Sequence, residues 1–237
     1  MTNAQPIEPY DLSSGEELDF HTIFHTLQGE GPFTGSPSIF IRLAGCNLQC
    51  PWCDTEYTQG RQRLHVNELI EHVLRISSEN PNTNLIVITG GEPTRQDIDP
   101  LVFKLLALDY YVQIESNGVL APSDRFLSWL KYWHLSYVVS PKTKRICDQT
   151  KHATAFKYVV DATSIREEDG LPIQALGHKA KPFIARPPED YAGMVYVNPM
   201  DADDPVANRA NLLACRDSAL KFGYIMGIQL HKIVGVD

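Results

Sequence analysis

The chain has 237 residues, a length that favours one large α/β or barrel domain over two independent ones. Apolar residues make up 43% and charged residues 21%, with 15 Gly and 16 Pro, which excludes wholesale disorder and collagen-like or low-complexity structure. Lys and Arg number 21 against 29 Asp and Glu, so a formal net charge of −8 offers no global positive field to gather nucleic acid or an anionic membrane.

Met1 to about Leu18 is polar and carries Pro6 and Pro9; it reads as a loose tail or an edge segment (1–18) ahead of a single domain over 19–237. The tail is acidic and lacks the basic start and apolar stretch of a signal peptide, and no apolar run of transmembrane length follows. A cytoplasmic, reducing setting without membrane contact is therefore expected, and clustered cysteines there bind metal or catalyse more often than they form disulfides.

Short β-rich apolar runs come next: Ser38 to Leu43, Leu85 to Thr89, Tyr111 to Ser116, Tyr137 to Ser140, Phe156 to Val160, Val195 to Asn198 and Ile225 to Leu230. Most are apolar on both faces, as strands covered on both sides are. Between them, Asn67 is placed to cap a helix whose Leu69, Ile70, Val73 and Leu74 share one face and which stops near Asn80-Pro81. Pro100 to Leu108 and Pro205 to Phe222 also have helical spacing, the second ending at Gly223. Residues 161–192, with four prolines, read as loop with at most one helical turn. Alternating strands and helices predict parallel pairing with right-handed crossovers, hence an α/β fold built as a full or partial parallel barrel. Thiols, Gly-Gly, carboxylates, Lys and His gather directly after the strands, at the barrel end where sites are built.

Cys46, Cys50 and Cys53 form C-x3-C-x2-C on the loop after the first core strand, while Cys147 and Cys215 stand apart and read as apolar packing residues. Three thiolates with no fourth nearby leave one coordination position open, unlike a closed structural zinc site. A [4Fe-4S] cluster so held has one iron free to bind something else.

This spacing, with Trp52 before the last Cys, resembles the signature of the radical S-adenosylmethionine (SAM) superfamily. The resemblance implies a partial (truncated) parallel α/β barrel of the radical SAM type, an open iron that chelates the methionine part of SAM, and Trp52, Cys53 and Asp54 near the cofactor. Gly90-Gly91-Glu92-Pro93 resembles the superfamily's GGEP motif, in which missing side chains let backbone at Gly91 and Glu92 approach the methionine amino group. Glu115, Asn117, Ser140, Pro141 and Lys142 sit at later strand ends where the superfamily contacts the rest of SAM; for Glu115 and Asn117, ordinary turn residues are the alternative.

The ordered set LQGEG, FIRL-x-GC, WCDT, ITGGEP, VSPK and QLHK resembles the 7-carboxy-7-deazaguanine synthase family. The resemblance implies conversion of 6-carboxy-5,6,7,8-tetrahydropterin to 7-carboxy-7-deazaguanine with loss of ammonia. Arg42, in a strand apolar on both faces, needs an anionic partner, and the family sets it against the pterin carboxylate; an internal salt bridge is the alternative. Leu27, Gln28, Gly29 and Glu30 are implied to meet the edge of the heterocycle, Thr89 to add a contact, and Thr55 to bind Mg2+ through its hydroxyl. Gln229 and His231, two apart on a predicted strand, point to one face and are implied substrate contacts, with the Asp237 carboxylate a further one. An electron donor such as flavodoxin or ferredoxin and a homodimer are also implied. The competing readings are a radical SAM activase acting on a partner protein and a non-catalytic iron–sulfur or zinc module.

Overall fold

The computed structural model describes residues 3–131, 134–178 and 182–236. Its strands are β1 (Glu17–Leu27), β2 (Pro37–Leu43), β3 (Gln62–His65), β4 (Leu85–Gly90), β5 (Tyr111–Ser116), β6 (Leu135–Val139), β7 (Ala155–Val160), β8 (Met194–Pro199) and β9 (Ile225–Met226). The helices are α1 (Val66–Glu79), α2 (Asp99–Ala107), α3 (Asp124–Trp129), α4 (Pro205–Phe222) and α5 (Leu230–Val234). One sheet runs in the order β3-β1-β2-β4-β5-β6-β7-β8-β9 and does not close, so the architecture is a partial barrel. From β2 to β9 all neighbours are parallel. Only β1 runs antiparallel, to β2 on one side and β3 on the other.

The continuous apolar runs explain the parallel core. Ile86, Val87 and Ile88 of β4 are fully buried, as are Ile39 and Ile41 beside them in register. One face of these strands packs on helices through Leu69 and Val73 of α1 and Leu101, Val102 and Leu105 of α2. Each such side chain contributes about 1.5–3 kcal/mol on leaving water. The alternate positions turn inward: Arg42 stands beside Thr89, and Gln113, Glu115 and Lys157 interrupt otherwise apolar strands.

Several expectations are corrected. The residues ahead of β1 are bound to the body rather than loose: Asn3 N donates to Pro51 O (2.9 Å), Glu8 N to Cys46 O (2.8 Å) and Asp11 N to Arg95 O (2.8 Å). Strand β1 begins at Glu17 and fully buries Leu18. The expected strand Ile225 to Leu230 stops at Met226: Gly227 packs on the Asn198 side chain, and Leu230 N donates to Gly29 O (3.1 Å), turning the chain into α5. The cap of α1 is His65, whose Nδ1 accepts from Asn67 N (3.1 Å) while Glu68 accepts from His65 N (2.9 Å), and Leu74 faces solvent. Helix α4 ends as expected at Gly223, in the left-handed conformation at φ +78°. The described residues of 161–192 contain neither helix nor strand, as the loop reading expects; Arg186 grips Asp169 there (Nε–Oδ2 2.8 Å). No helix among the described residues is long and apolar enough to cross a membrane.

Candidate active site

A cavity of about 680 Å³ opens at the carboxyl ends of the strands. Its first wall is the cysteine loop, which leaves β2 and folds back on the turn after β4. Gly91 N donates to Leu43 O (3.1 Å) and Glu92 N to Gly45 O (2.9 Å). A Cβ on Gly91 would overlap Gly45 O and crowd the Cys46 side chain, so this glycine is demanded by the cysteine loop itself.

Glu92 is likewise committed within the protein. It is 1% exposed, and its carboxylate accepts from Thr94 N (3.1 Å), Thr94 Oγ1 (2.7 Å), Ser116 Oγ (2.7 Å) and Asn117 N (2.7 Å). Burial nevertheless holds its carboxyl above the usual range. Asn117 in turn donates through Nδ2 to Asn47 Oδ1 (2.8 Å), tying the end of β5 to the cysteine loop.

Cys46, Cys50 and Cys53 are free thiols that line the same cavity. Burial, reinforced by the neighbouring thiols, pushes Cys46 up to about 12 and Cys50 to about 11, and raises Cys53 as well. Thiols so placed ionise readily only beside a strongly cationic centre, which fits an iron–sulfur cluster. Cys215 is buried inside α4 and Cys147 is half-buried, both remote from the trio in role.

Beside the thiols, Trp52 is 51% exposed and its N–H donates to Leu176 O (3.1 Å), so the irregular segment after β7 buttresses the cysteine loop. Lys142 Nζ donates to Ser140 O (2.8 Å) and Ser140 Oγ (2.5 Å), and burial lowers its pKa. Thr55 and Asp54 line the cavity rim, with Thr55 Oγ1 donating to Asp54 Oδ1 (3.2 Å).

The opposite wall is charged. Arg42 lies over the Phe24 ring at 5.6 Å and, with Thr89, faces the cavity. Glu30 and Glu115 both meet Lys157 Nζ, at 2.7 Å and 3.3 Å. Gln28 joins them, donating through Nε2 to Glu115 Oε1 (3.0 Å) and accepting from Glu30 N (3.1 Å). Gln229 and His231 reach this wall from α5 rather than from a strand; the His231 ring occupies the side of Gly29 where a Cβ would stand.

A family model of the Radical SAM superfamily matches residues 40–140. The chain is 40% identical to 7-carboxy-7-deazaguanine synthase of Rhodospirillum rubrum over 244 residues, covering 100% of both chains. It is 36% identical to the Rickettsia prowazekii enzyme of the same name, covering 94% of this chain and 90% of that one. This chain belongs to the 7-carboxy-7-deazaguanine synthase family. The crystal structure of QueE from Escherichia coli superposes with a TM-score of 0.66 at 25% identity, covering 91% of this chain and 95% of that one, in agreement with the partial barrel.

Membership in this family brings with it the [4Fe-4S] cluster and SAM of the radical SAM superfamily, and sets aside the zinc-module reading. All the site residues predicted from sequence line the one cavity except two: Pro141 is buried behind it, and Asp237 lies outside the described residues. Sequence reasoning missed Lys157, a lone cation in an apolar strand whose partners are distant in the chain, and Asp201, which pairs with Lys232 at 2.8 Å across the cavity mouth. It also missed the N-terminal strap, whose only signal is the polar Asn3 and Gln5.

Proposed function

We propose that this chain is a radical SAM lyase that converts 6-carboxy-5,6,7,8-tetrahydropterin to 7-carboxy-7-deazaguanine with release of ammonia, the activity named for its family. The observation that carries the reading is one cavity with three thiols on one wall and Arg42, Glu30 and His231 on the other. When bound, the cluster held by Cys46, Cys50 and Cys53, together with SAM at its open iron, supplies the deoxyadenosyl radical that takes hydrogen from the pterin.

The protein's part is to place and enclose. Trp52, Asp54, Asn117, Ser140 and Lys142 hold SAM against the cysteine loop, with Gly91, Glu92 and Pro141 shaping the backbone behind it. Arg42 takes the substrate carboxylate in a bidentate grip. Leu27, Gln28, Gly29 and Glu30 meet the heterocycle edge, Thr89 contacts its face, and Gln229 and His231 close over it from α5; the terminal Asp237 carboxylate is a further contact. The Thr55 hydroxyl contributes one ligand to Mg2+, which takes few protein ligands. Glu115 belongs with the substrate wall through Lys157 and Gln28 as much as with SAM. A flavodoxin or ferredoxin as reductant, a homodimer and a cytoplasmic setting complete the reading.

Reconstituted, reduced protein incubated anaerobically with SAM, Mg2+ and the tetrahydropterin is expected to yield a product of the mass of 7-carboxy-7-deazaguanine and ammonium. SAM cleavage with the pterin left unconsumed overturns the reading. Omitting Mg2+ is expected to slow wild-type turnover and to leave Thr55→Ala little changed; equal Mg2+ dependence in both contradicts the role of Thr55.

A further inference from the structure

We infer that Lys157 is a positioning residue that draws Glu30 and Glu115 to one point of the substrate wall and keeps Glu30 an ionised acceptor, so that Glu30 receives the paired N–H donors of an aminopyrimidinone. The inference rests on the pterin reading above and assigns a residue that reading does not use.

Lys157 is the one inward cation of β7, 7% exposed between Phe156 and Tyr158, which are fully buried on the other face. Its Nζ stands 2.7 Å from Glu30 Oε2 and 3.3 Å from Glu115 Oε2. Glu115 Oε1 accepts from Gln28 Nε2 and Gln113 Nε2, both at 3.0 Å, so both its oxygens are engaged within the wall. Gln28 Oε1 accepts from Glu30 N at 3.1 Å, which locks the loop bearing Glu30 to the same group. The other groups facing Glu30 are Gln229, which donates to it, and His231; Lys142 faces Lys157 and Glu30 from the SAM wall.

A largely enclosed carboxylate set beside a second acidic side chain keeps its charge only with a cation at hand, and Lys157 supplies one to Glu30. Burial alone raises Glu30, and Lys157, with Gln229 and His231, reverses this and holds it below the usual carboxylate range. Burial alone lowers Lys157, and Glu115 and Glu30 reverse that, raising it. A carboxyl held below its ordinary pKa keeps its charge through the neutral range and loses it only as pH falls through the acid range. An aminopyrimidinone edge presents two parallel N–H groups, which an ionised carboxylate accepts side by side and a protonated carboxyl does not.

The test measures affinity for 6-carboxy-5,6,7,8-tetrahydropterin, anaerobically with SAM present and no reductant, across about pH 6 to 9 in wild type, Lys157→Met, Lys157→Gln and Lys157→Arg. Wild type and Lys157→Arg are expected to bind with little pH dependence. Lys157→Met and Lys157→Gln are expected to lose about tenfold or more at neutral pH, one pKa unit being tenfold, and to regain affinity as pH rises. Iron content and the cluster's spectral response to SAM report folding in each variant, and Lys157→Gln, which keeps a hydrogen-bond donor, carries the test should Lys157→Met not fold. Pterin affinity in Lys157→Gln as flat and tight as in wild type, or a loss that does not recover with pH, overturns the inference. Wild type that does not bind the pterin overturns instead the functional reading on which it rests.

Discussion

Gly91 shows how a single missing atom supports the site. A methyl group there would collide with Gly45 O, and the loop bearing Cys46 would have to move. Gly91→Ala is expected to cost about 1–3 kcal/mol of stability by overpacking and to reduce iron uptake, read by denaturant unfolding and iron analysis; unchanged values in both contradict the contact. Arg42→Ala is expected to weaken pterin binding by about tenfold to a hundredfold, in line with about 1.5–3 kcal/mol for a charged hydrogen bond, while iron content and SAM affinity hold. Lost SAM affinity with normal pterin affinity contradicts the assignment. At this scale the three cysteines, Trp52 and Gly-Gly-Glu-Pro were legible because their spacing is local. Lys157 was not, because its meaning depends on Glu30 and Glu115, which only the folded sheet brings to it. The committed carboxylate of Glu92 was hidden for the same reason: its partners come from two strand ends.

The element with the largest gap between sequence and structure is the segment before β1. Its prolines and polar residues leave open a loose tail or an edge segment, and it is the second, lying along the cysteine loop. Asn3 Nδ2 donates to Cys50 O (3.1 Å), Gln5 Nε2 donates to Thr55 O (2.8 Å), and Gln5 Oε1 accepts from Tyr57 N (2.8 Å). These bonds satisfy loop groups that no helix or strand pairs. Gln5→Ala is expected to cost about 1–3 kcal/mol and to speed iron loss in air, followed by the decay of cluster absorbance; wild-type decay contradicts a strap role. Such irregular pairing has no period, so hydropathy cannot announce it. Helix α5 escaped detection similarly: Ile225 to Leu230 reads as an apolar strand, and only docking of Leu230 N on Gly29 O decides otherwise. The central strands β4 to β8, mostly apolar, were legible to within about two residues at each end.

Across the whole molecule, the parallel half-barrel brings loops remote in sequence to one end, and the open sheet leaves the C-terminal segment to close the cavity. Lys232 binds Asp201 at 2.8 Å, and with Asn208 and the Asp203 N–H it holds the Asp201 carboxyl down at about 2, so this latch stays ionised at neutral pH and weakens only in strong acid. Lys232→Ala is expected to raise KM for the pterin severalfold with a smaller change in kcat, because α5 carries Gln229 and His231 to the substrate; a pure kcat loss contradicts that. The alternation of strands and helices made the barrel legible and the family motifs its partial form, whereas the antiparallel β1 depends on pairing that sequence alone does not display. The proposed reaction requires that the three thiols leave one cluster iron to SAM inside the cavity that receives the pterin. Electron–nuclear double resonance of the reduced cluster with SAM labelled at the methionine nitrogen and carboxylate oxygen tests this directly. Hyperfine coupling to both labels is the predicted result, and a spectrum unaltered by labelled SAM would contradict it.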